Sequence, residues 1–210
     1  SEEELQKREA IGVIRASRFV RLFARSHKPI TMASICEIHK HIFQDAWLDI
    51  AGVYRDEELK ITDSQHLPPH HSAVSTLIEE ADKVLAQRTH QLMQAEGIIL
   101  NLGNATEAEL TCIESVISTA AWLHHALMYI HPFREGNGRT ARLAANLILE
   151  RYGLIGISIK VEKENKNRYR AALAQIDQQQ DYEPLQNLIR EGLLERYNGV
   201  AIKYYGIKKQ

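Results

Sequence analysis

Twelve consecutive residues, His131-Pro-Phe-Arg-Glu-Gly-Asn-Gly-Arg-Thr-Ala-Arg142, restrict the fold of this chain more than any other stretch. The two glycines of Gly136-Asn137-Gly138 allow φ > 0, which lets successive backbone N–H groups converge on an anion in a nest. From Arg139 onward, Leu143, Leu147, Ile148 and Tyr152 fall at helical spacing, so the nest must open a helix. A helix start offers free N–H groups and the positive end of a dipole, and both favour phosphate. Arg139 and Arg142, three apart, share one side of the first turn, where guanidinium forks suit phosphate oxygens. Glu135 sits just ahead as a hard oxygen ligand for Mg²⁺, with water and phosphates to complete the octahedron. His131 is the one group here that titrates near neutrality, and it is the candidate general base. Phe133 is expected to turn inward and anchor the loop. Taken singly, a Gly-Asn-Gly turn is an ordinary helix entry and helical arginines are ordinarily solvated. Order and spacing together carry the reading.

The rest of the chain reads as mostly helical. A first helix is expected over 3–26, with Ile11, Ile14, Phe19, Val20 and Phe23 as its apolar face. A second ends near Phe43, and a third covers about 72–95. Asp45 to Gly52 is irregular, with Trp47 packing. Residues 53–67 lack a helical period and stop at Pro68-Pro69, which fits a short hairpin. Gly97 to Gly103 reads as a loop. Thr106-x-x-Glu109 is a capping-box pattern heading a long helix that ends near Tyr129. After the connection Gly153 to Val161, two last helices are expected over about 163–178 and 183–197, the latter with Pro184 in its first turn. The tail, 199–210, has no helical pattern. One all-α domain over 1–210 with a small β-hairpin is the expected architecture.

Beyond the motif's fixed positions lies a family likeness. His131 to Arg142 matches the pattern His-x-Phe-x-(Asp/Glu)-Gly-Asn-Gly-Arg-x-x-Arg of the Fic family. Gly52-Val-Tyr-Arg55, with Leu59 to Pro69 after it, resembles the family's Gly-x-Tyr-Arg segment and flap hairpin, placed here at about 54–67. Tyr169 to Leu188 is similar to its closing helices, so the likeness spans roughly 10–197. The resemblance implies a helical core around a helix–loop–helix and transfer of AMP from ATP to a Tyr, Ser or Thr hydroxyl of a target protein. By that resemblance, His131 takes the hydroxyl proton, and Asn137 with the backbone N–H groups of Gly136 and Gly138 holds the α-phosphate. Glu135 holds Mg²⁺, Arg139 meets the β/γ region and Arg142 the γ-phosphate. Tyr169 borders the nucleotide pocket, where it either stacks on adenine or simply packs. The flap residues Glu58, Leu59, Lys60, Ile61 and Thr62 offer a strand edge to the target. Removal of AMP, transfer of another nucleotide or phosphate-linked group, and a catalytically silent interaction module are the alternatives on the same fold.

Composition narrows the partners. The 210 residues carry a net charge of −1 with the signs well mixed, which argues against a duplex nucleic-acid binder. No apolar run approaches the roughly 20 residues of a membrane span. Two cysteines, Cys36 and Cys112, lie in apolar helical patterns and read as buried thiols of a reducing, cytoplasmic setting, which is also compatible with delivery into another cell. His66, His70, His71, His124 and His125 add imidazoles but no His-Glu-x-x-His, and neighbouring histidines on a helix diverge, so no transition-metal site is expected. No serine sits in a nucleophile elbow. The family's inhibitory pattern (Ser/Thr)-x-x-x-Glu-(Gly/Asn) has no good copy. Asn187-Leu-Ile-Arg-Glu191-Gly192 comes nearest, with Asn in place of the hydroxyl residue. Control by a segment ahead of Ser1, by an antitoxin-like partner or through a homo-oligomer, or no such control, all fit.

Overall fold

A computed structural model describes residues 1–62, 64–92, 106–159 and 164–196. Among them are seven α-helices: α1 (Glu2–Ala24), α2 (Met32–Phe43), α3 (Val74–Leu92), α4 (Glu107–Ile130), α5 (Asn137–Arg151), α6 (Glu164–Gln179) and α7 (Glu183–Arg196). The all-α reading holds. The expected loop over 97–103, the end of the connection at Val161 and the 199–210 tail lie outside the described residues.

Local chemistry sets several boundaries. The capping box at α4 forms as the pattern predicts: Thr106 Oγ1 accepts from Glu109 N, and Glu109 returns the bond to Thr106 N. A second box caps α2, where Thr31 and Ser34 exchange the same pair of bonds. That one uses serine at the third position and carries a weaker sequence signal.

The buried face of α1 differs from expectation. Ile11 and Ile14 are 58% and 69% exposed, while Gly12, Ala16, Val20 and Ala24 are buried. The reason is a close approach to α2: a Cβ on Gly12 would stand 1.9 Å from the Ile42 carbonyl oxygen. A row of small residues four apart lets two backbones meet, and the large apolar residues that share their helix are turned outward.

Helix α5 is the centre. Thr140, Ala141, Leu143, Ala144, Ala145, Leu147, Ile148 and Leu149 are all buried, against α4 most extensively and also against α1 and α2. A helix apolar on nearly every side is one wrapped by neighbours. Its first turn is thereby fixed as firmly as the core itself, and the six-residue loop His131–Gly136 is all that joins it to α4.

Residues 53–67 depart from the expected hairpin. Among the described residues they hold no paired strands, and the one bridge, Tyr54 with Phe133, is antiparallel and runs to the motif loop. The segment spends its pairing on the site instead of on itself. The cysteines also differ: both are free and only partly buried, and Cys36 Sγ donates to the Gly52 carbonyl at 3.0 Å.

Candidate functional site

The motif residues meet around one cavity of about 250 Å³, lined by His131, Arg134, Glu135, Gly136, Asn137, Gly138, Arg139 and Arg142. It is lined by the first residues of α5, where the opening N–H groups of the helix have no intrahelical partner.

His131 caps α4 in the left-handed conformation, φ 50° and ψ 58°, with its N–H bonded to the Leu127 carbonyl at 2.9 Å. That conformation costs a non-glycine residue of order 1 kcal/mol or more, and the surroundings must impose it. Arg55 does so. The residue is 5% exposed, and its guanidinium donates to the carbonyls of His131 (2.7 Å), Glu57 (2.9 Å), Pro69 (2.5 Å) and Ile130 (3.4 Å). Its own N–H reaches the Pro132 carbonyl at 2.8 Å. One buried cation thus satisfies the end of α4 and closes the base of the 55–69 segment.

Burial is the main cause that pushes the His131 imidazole below its ordinary range, and the Arg55 and His66 charges add to it. The nearby Met128 backbone works the other way, yet Nδ1 makes no hydrogen bond of good geometry. The ring is therefore neutral at pH 7, the state a base requires.

The loop beyond is held by His39 and Asn137. His39 on α2 is fully buried and stacks on Phe133, with ring centroids 3.8 Å apart and planes 7° apart. Its Nδ1 accepts from Gly52 N at 3.0 Å, which puts the proton on Nε2, and that nitrogen donates to the Glu135 carbonyl at 2.9 Å. Desolvation pushes this ring down to about 4, so the tautomer is fixed and uncharged. Phe133 turns inward as expected, 1% exposed.

Asn137 commits its side chain within the loop, and its backbone N–H remains for the phosphate contact expected of this residue. Its Oδ1 accepts from Phe133 N at 2.9 Å and its Nδ2 donates to Phe133 O at 2.7 Å. Both halves of the amide are used within the loop, which leaves the backbone N–H to meet an anion. The glycines also divide. Gly136 has φ +75°, and a Cβ there would lie 2.4 Å from Phe43 Cε2. Gly138 already lies in α5 without a positive φ, where its bare Cα leaves room for Arg142 Nη1, 3.1 Å from where a Cβ would be.

Glu135 is half exposed, with Oε1 accepting from Gly136 N at 2.9 Å. Arg139 donates to the same oxygen at 3.2 Å and to Glu9 on α1 at 2.5 Å, while its guanidinium covers the Phe43 ring. Arg142 lies against the Tyr169 hydroxyl. Tyr169 is 7% exposed, and its hydroxyl meets His124 Nε2 at 3.0 Å, so its ring is packed and its polar end committed. Burial raises that phenol to about 12 despite Arg142.

Beside this cavity lies a larger one of about 880 Å³ between the 61–67 segment, α4 and α6. Ile61, Thr62, Leu67, Met128, Tyr129 and Tyr169 supply much of its wall. At its α6 side His125 Nε2 donates to Asp177 at 2.8 Å. Of the expected flap residues, Ile61 and Thr62 border this space, whereas Glu58 turns to His70 and His71.

Residues 29–149 match the Fic/DOC family, more than half of the chain. This chain belongs to the Fic/DOC family. Among curated relatives, the protein adenylyltransferase Fic of Nematostella vectensis is 31% identical over 159 residues, 75% of this chain and 32% of that protein. The protein adenylyltransferase fic-1 of Caenorhabditis elegans is 29% identical over 156 residues, 73% and 26% respectively. The Fic/DOC chain spans about a third or less of those relatives. Among solved structures, Fic-1 (residues 134–508) of C. elegans aligns with a TM-score of 0.67 at 26% identity, covering 93% of this chain and 52% of that one. BepC of Bartonella tribocorum, solved with bound AMPPNP, has the same fold, with a TM-score of 0.62 at 18% identity over 91% and 87%.

His39 and Glu9 escape sequence reasoning, and Arg55 appears there only within a family segment. His39 leaves one signal: it lies on the apolar face of α2 beside Ile35, Ile38 and Ile42, and a buried imidazole there demands partners.

Proposed function

We propose that this Fic/DOC chain is an Mg²⁺-dependent nucleotidyltransferase that moves AMP from ATP to a Tyr, Ser or Thr hydroxyl of a target protein. The observation that carries the reading is a neutral, braced His131 on the rim of a cavity floored by a helix N-terminus and walled by Arg139 and Arg142. Relatives named protein adenylyltransferases support it.

The residues divide the work. His131 takes the proton from the target hydroxyl as its oxygen bonds to the α-phosphorus. The bond from that phosphorus to the bridging β-oxygen breaks, and pyrophosphate leaves. The N–H groups of Asn137 and Gly138 at the start of α5 hold the phosphate oxygens, and the Gly136 N–H joins them once it leaves Glu135 Oε1. Arg139 and Arg142 carry the β- and γ-phosphates once Arg139 exchanges its Glu9 contact for the nucleotide. Positioning and charge supply most of the acceleration in phosphoryl chemistry. Glu135 suits a hard cation: its carboxylate is half exposed and Oε2 is free of the bonds that Oε1 makes. Glu135 would hold Mg²⁺ there, which would supply positive charge against the departing pyrophosphate. The 880 Å³ cavity suits the base and ribose, with Tyr169 as a wall. Residues Glu58 to Thr62, whose backbones pair with no strand among the described residues, offer an extended edge for the target.

Purified protein incubated with α-phosphate-labelled ATP, Mg²⁺ and a cell lysate should label protein, and His131→Ala should not. Labelling that survives His131→Ala sinks the base assignment. Labelling only from another nucleotide keeps the reaction and rewrites the base pocket.

A further inference from the structure

Glu58, His70 and His71 come together at the foot of the 55–69 segment, away from the motif. One ligand atom from each lies within 4.8 Å of the others. Glu58 Oε1 is 3.3 Å from His70 Nε2 and 3.9 Å from His71 Nε2. Neighbouring histidines on a helix diverge, but these two straddle the boundary of the short 3-10 turn His71–Ala73. His70 is still extended at φ −53° and ψ 141°, and the two rings end 4.4 Å apart on one side.

We propose that these three side chains form a binding site for a first-row transition ion, with Zn²⁺ the best match. Two imidazoles and one carboxylate are the donor set that Zn²⁺ shares with its relatives and that Mg²⁺ avoids. Four-coordinate zinc with bonds of about 2.05 Å sets neighbouring ligand atoms roughly 3.3 Å apart. The His70–Glu58 pair already has that spacing, and His71 must draw in from 3.9 Å towards Glu58 Oε1 and towards His70, a movement available to a partly exposed ring. Metal ligands need an outer partner on the free ring nitrogen. His70 Nδ1 accepts from the Ser72 N–H at 3.3 Å and lies 2.8 Å from Ser72 Oγ; binding an ion at Nε2 moves the proton to Nδ1, which trades that N–H contact for donation to Ser72 Oγ. The same Glu58 Oε1 accepts from the His71 N–H at 3.0 Å, which fixes that oxygen beside the two rings. Water fills the fourth position at this exposed place.

The site bridges Glu58, in the segment proposed to receive the target, to the turn that starts α3. It repeats from outside the closure that Arg55 makes from inside through the Pro69 carbonyl. An ion there fastens the near end of the segment, whose far end is held where His66 Nε2 meets the Tyr129 carbonyl at 2.8 Å. Its donor set and place both differ from those of Glu135, so the two ions are sorted by ligand type.

Calorimetric titration of the metal-free chain with Zn²⁺ tests this directly, without any need for transfer activity. One equivalent should bind, excess Mg²⁺ should not displace it, and hydrogen exchange should slow at 56–60 and 70–72. His70→Ala, His71→Ala and Glu58→Gln should each weaken binding by about tenfold or more, since removing even an outer partner costs that much at ordered sites. All three positions are at the surface, and melting curves will show the variants folded. Asp177→Asn, which alters the other histidine–carboxylate pair, should leave the affinity unchanged. Failure to bind one equivalent, or unchanged wild-type affinity in both histidine variants, overturns the site.

Discussion

The motif loop and the segment that borders it are built to opposite standards. Between His131 and Asn137 almost every polar group is committed: Asn137 to Phe133 in both directions, His39 to the Glu135 carbonyl, and Arg55 to the His131 carbonyl. Between Glu58 and Thr62 no backbone group pairs with a strand among the described residues, and three of the five residues are exposed. Chemistry at phosphorus requires reacting atoms held to within fractions of an ångström, whereas a docking edge must accept a partner's backbone. Under the proposed function, rigidity is concentrated where bonds would break, and pairing capacity is left open where a partner would arrive.

Substitutions can break that contrast or sharpen it. His131→Ala should have the largest effect, lowering the labelling rate about 10³-fold while the melting temperature stays nearly constant, because general bases contribute roughly 10²–10⁴. Arg55→Met should affect both. Four backbone carbonyls lose a charged donor, and about 3 kcal/mol or more should disappear from urea-denaturation stability. Labelling should fall with it as His131 leaves its left-handed conformation. Arg55→Lys should rescue little, since an ammonium lacks the fork.

A pH titration of stability tests the His39 brace. Its ring is neutral and held down to about 4 in the folded chain, but has its ordinary value when unfolded. Unfolding therefore takes up a proton at mildly acid pH. Stability should be full above about pH 6.5 and fall towards pH 4 at about 1.4 kcal/mol per pH unit for this group. His39→Gln should be less stable at pH 7 and show a flatter decline, as read from denaturant midpoints. The smallest stability effect belongs to the open edge. Lys60→Pro removes an N–H from an exposed position and should shift stability by less than about 0.5 kcal/mol. Labelling of the target should nevertheless fall, and equal labelling would show that this edge does not dock it.

Much of this was legible in the chain itself. The capping box at Thr106, the entry to α5 and the convergence of His131, Glu135, Arg139 and Arg142 depend on residues a few positions apart, where spacing determines geometry. The braces were not legible. His39 meets a residue 96 positions away, Arg55 one 76 away and Arg139 one 130 away, and no periodicity encodes such pairs. The face of α1 was misread for a related reason. Hydrophobicity favours Ile11 and Ile14, but the closeness of α2 at Gly12 selects small residues, and closeness is a property of two helices together.

The commitment of the Asn137 amide also bears on how the protein ages. An Asn-Gly pair is the dipeptide most prone to deamidate, because the glycine nitrogen can close on the side-chain carbon and form a succinimide. Here the amide is tied at both ends to Phe133 inside a buried loop and the glycine nitrogen belongs to the first turn of α5. Ring closure is blocked for as long as the loop stays folded. Thermal inactivation should then proceed through opening of this loop, with chemical damage at Asn137 as its permanent record.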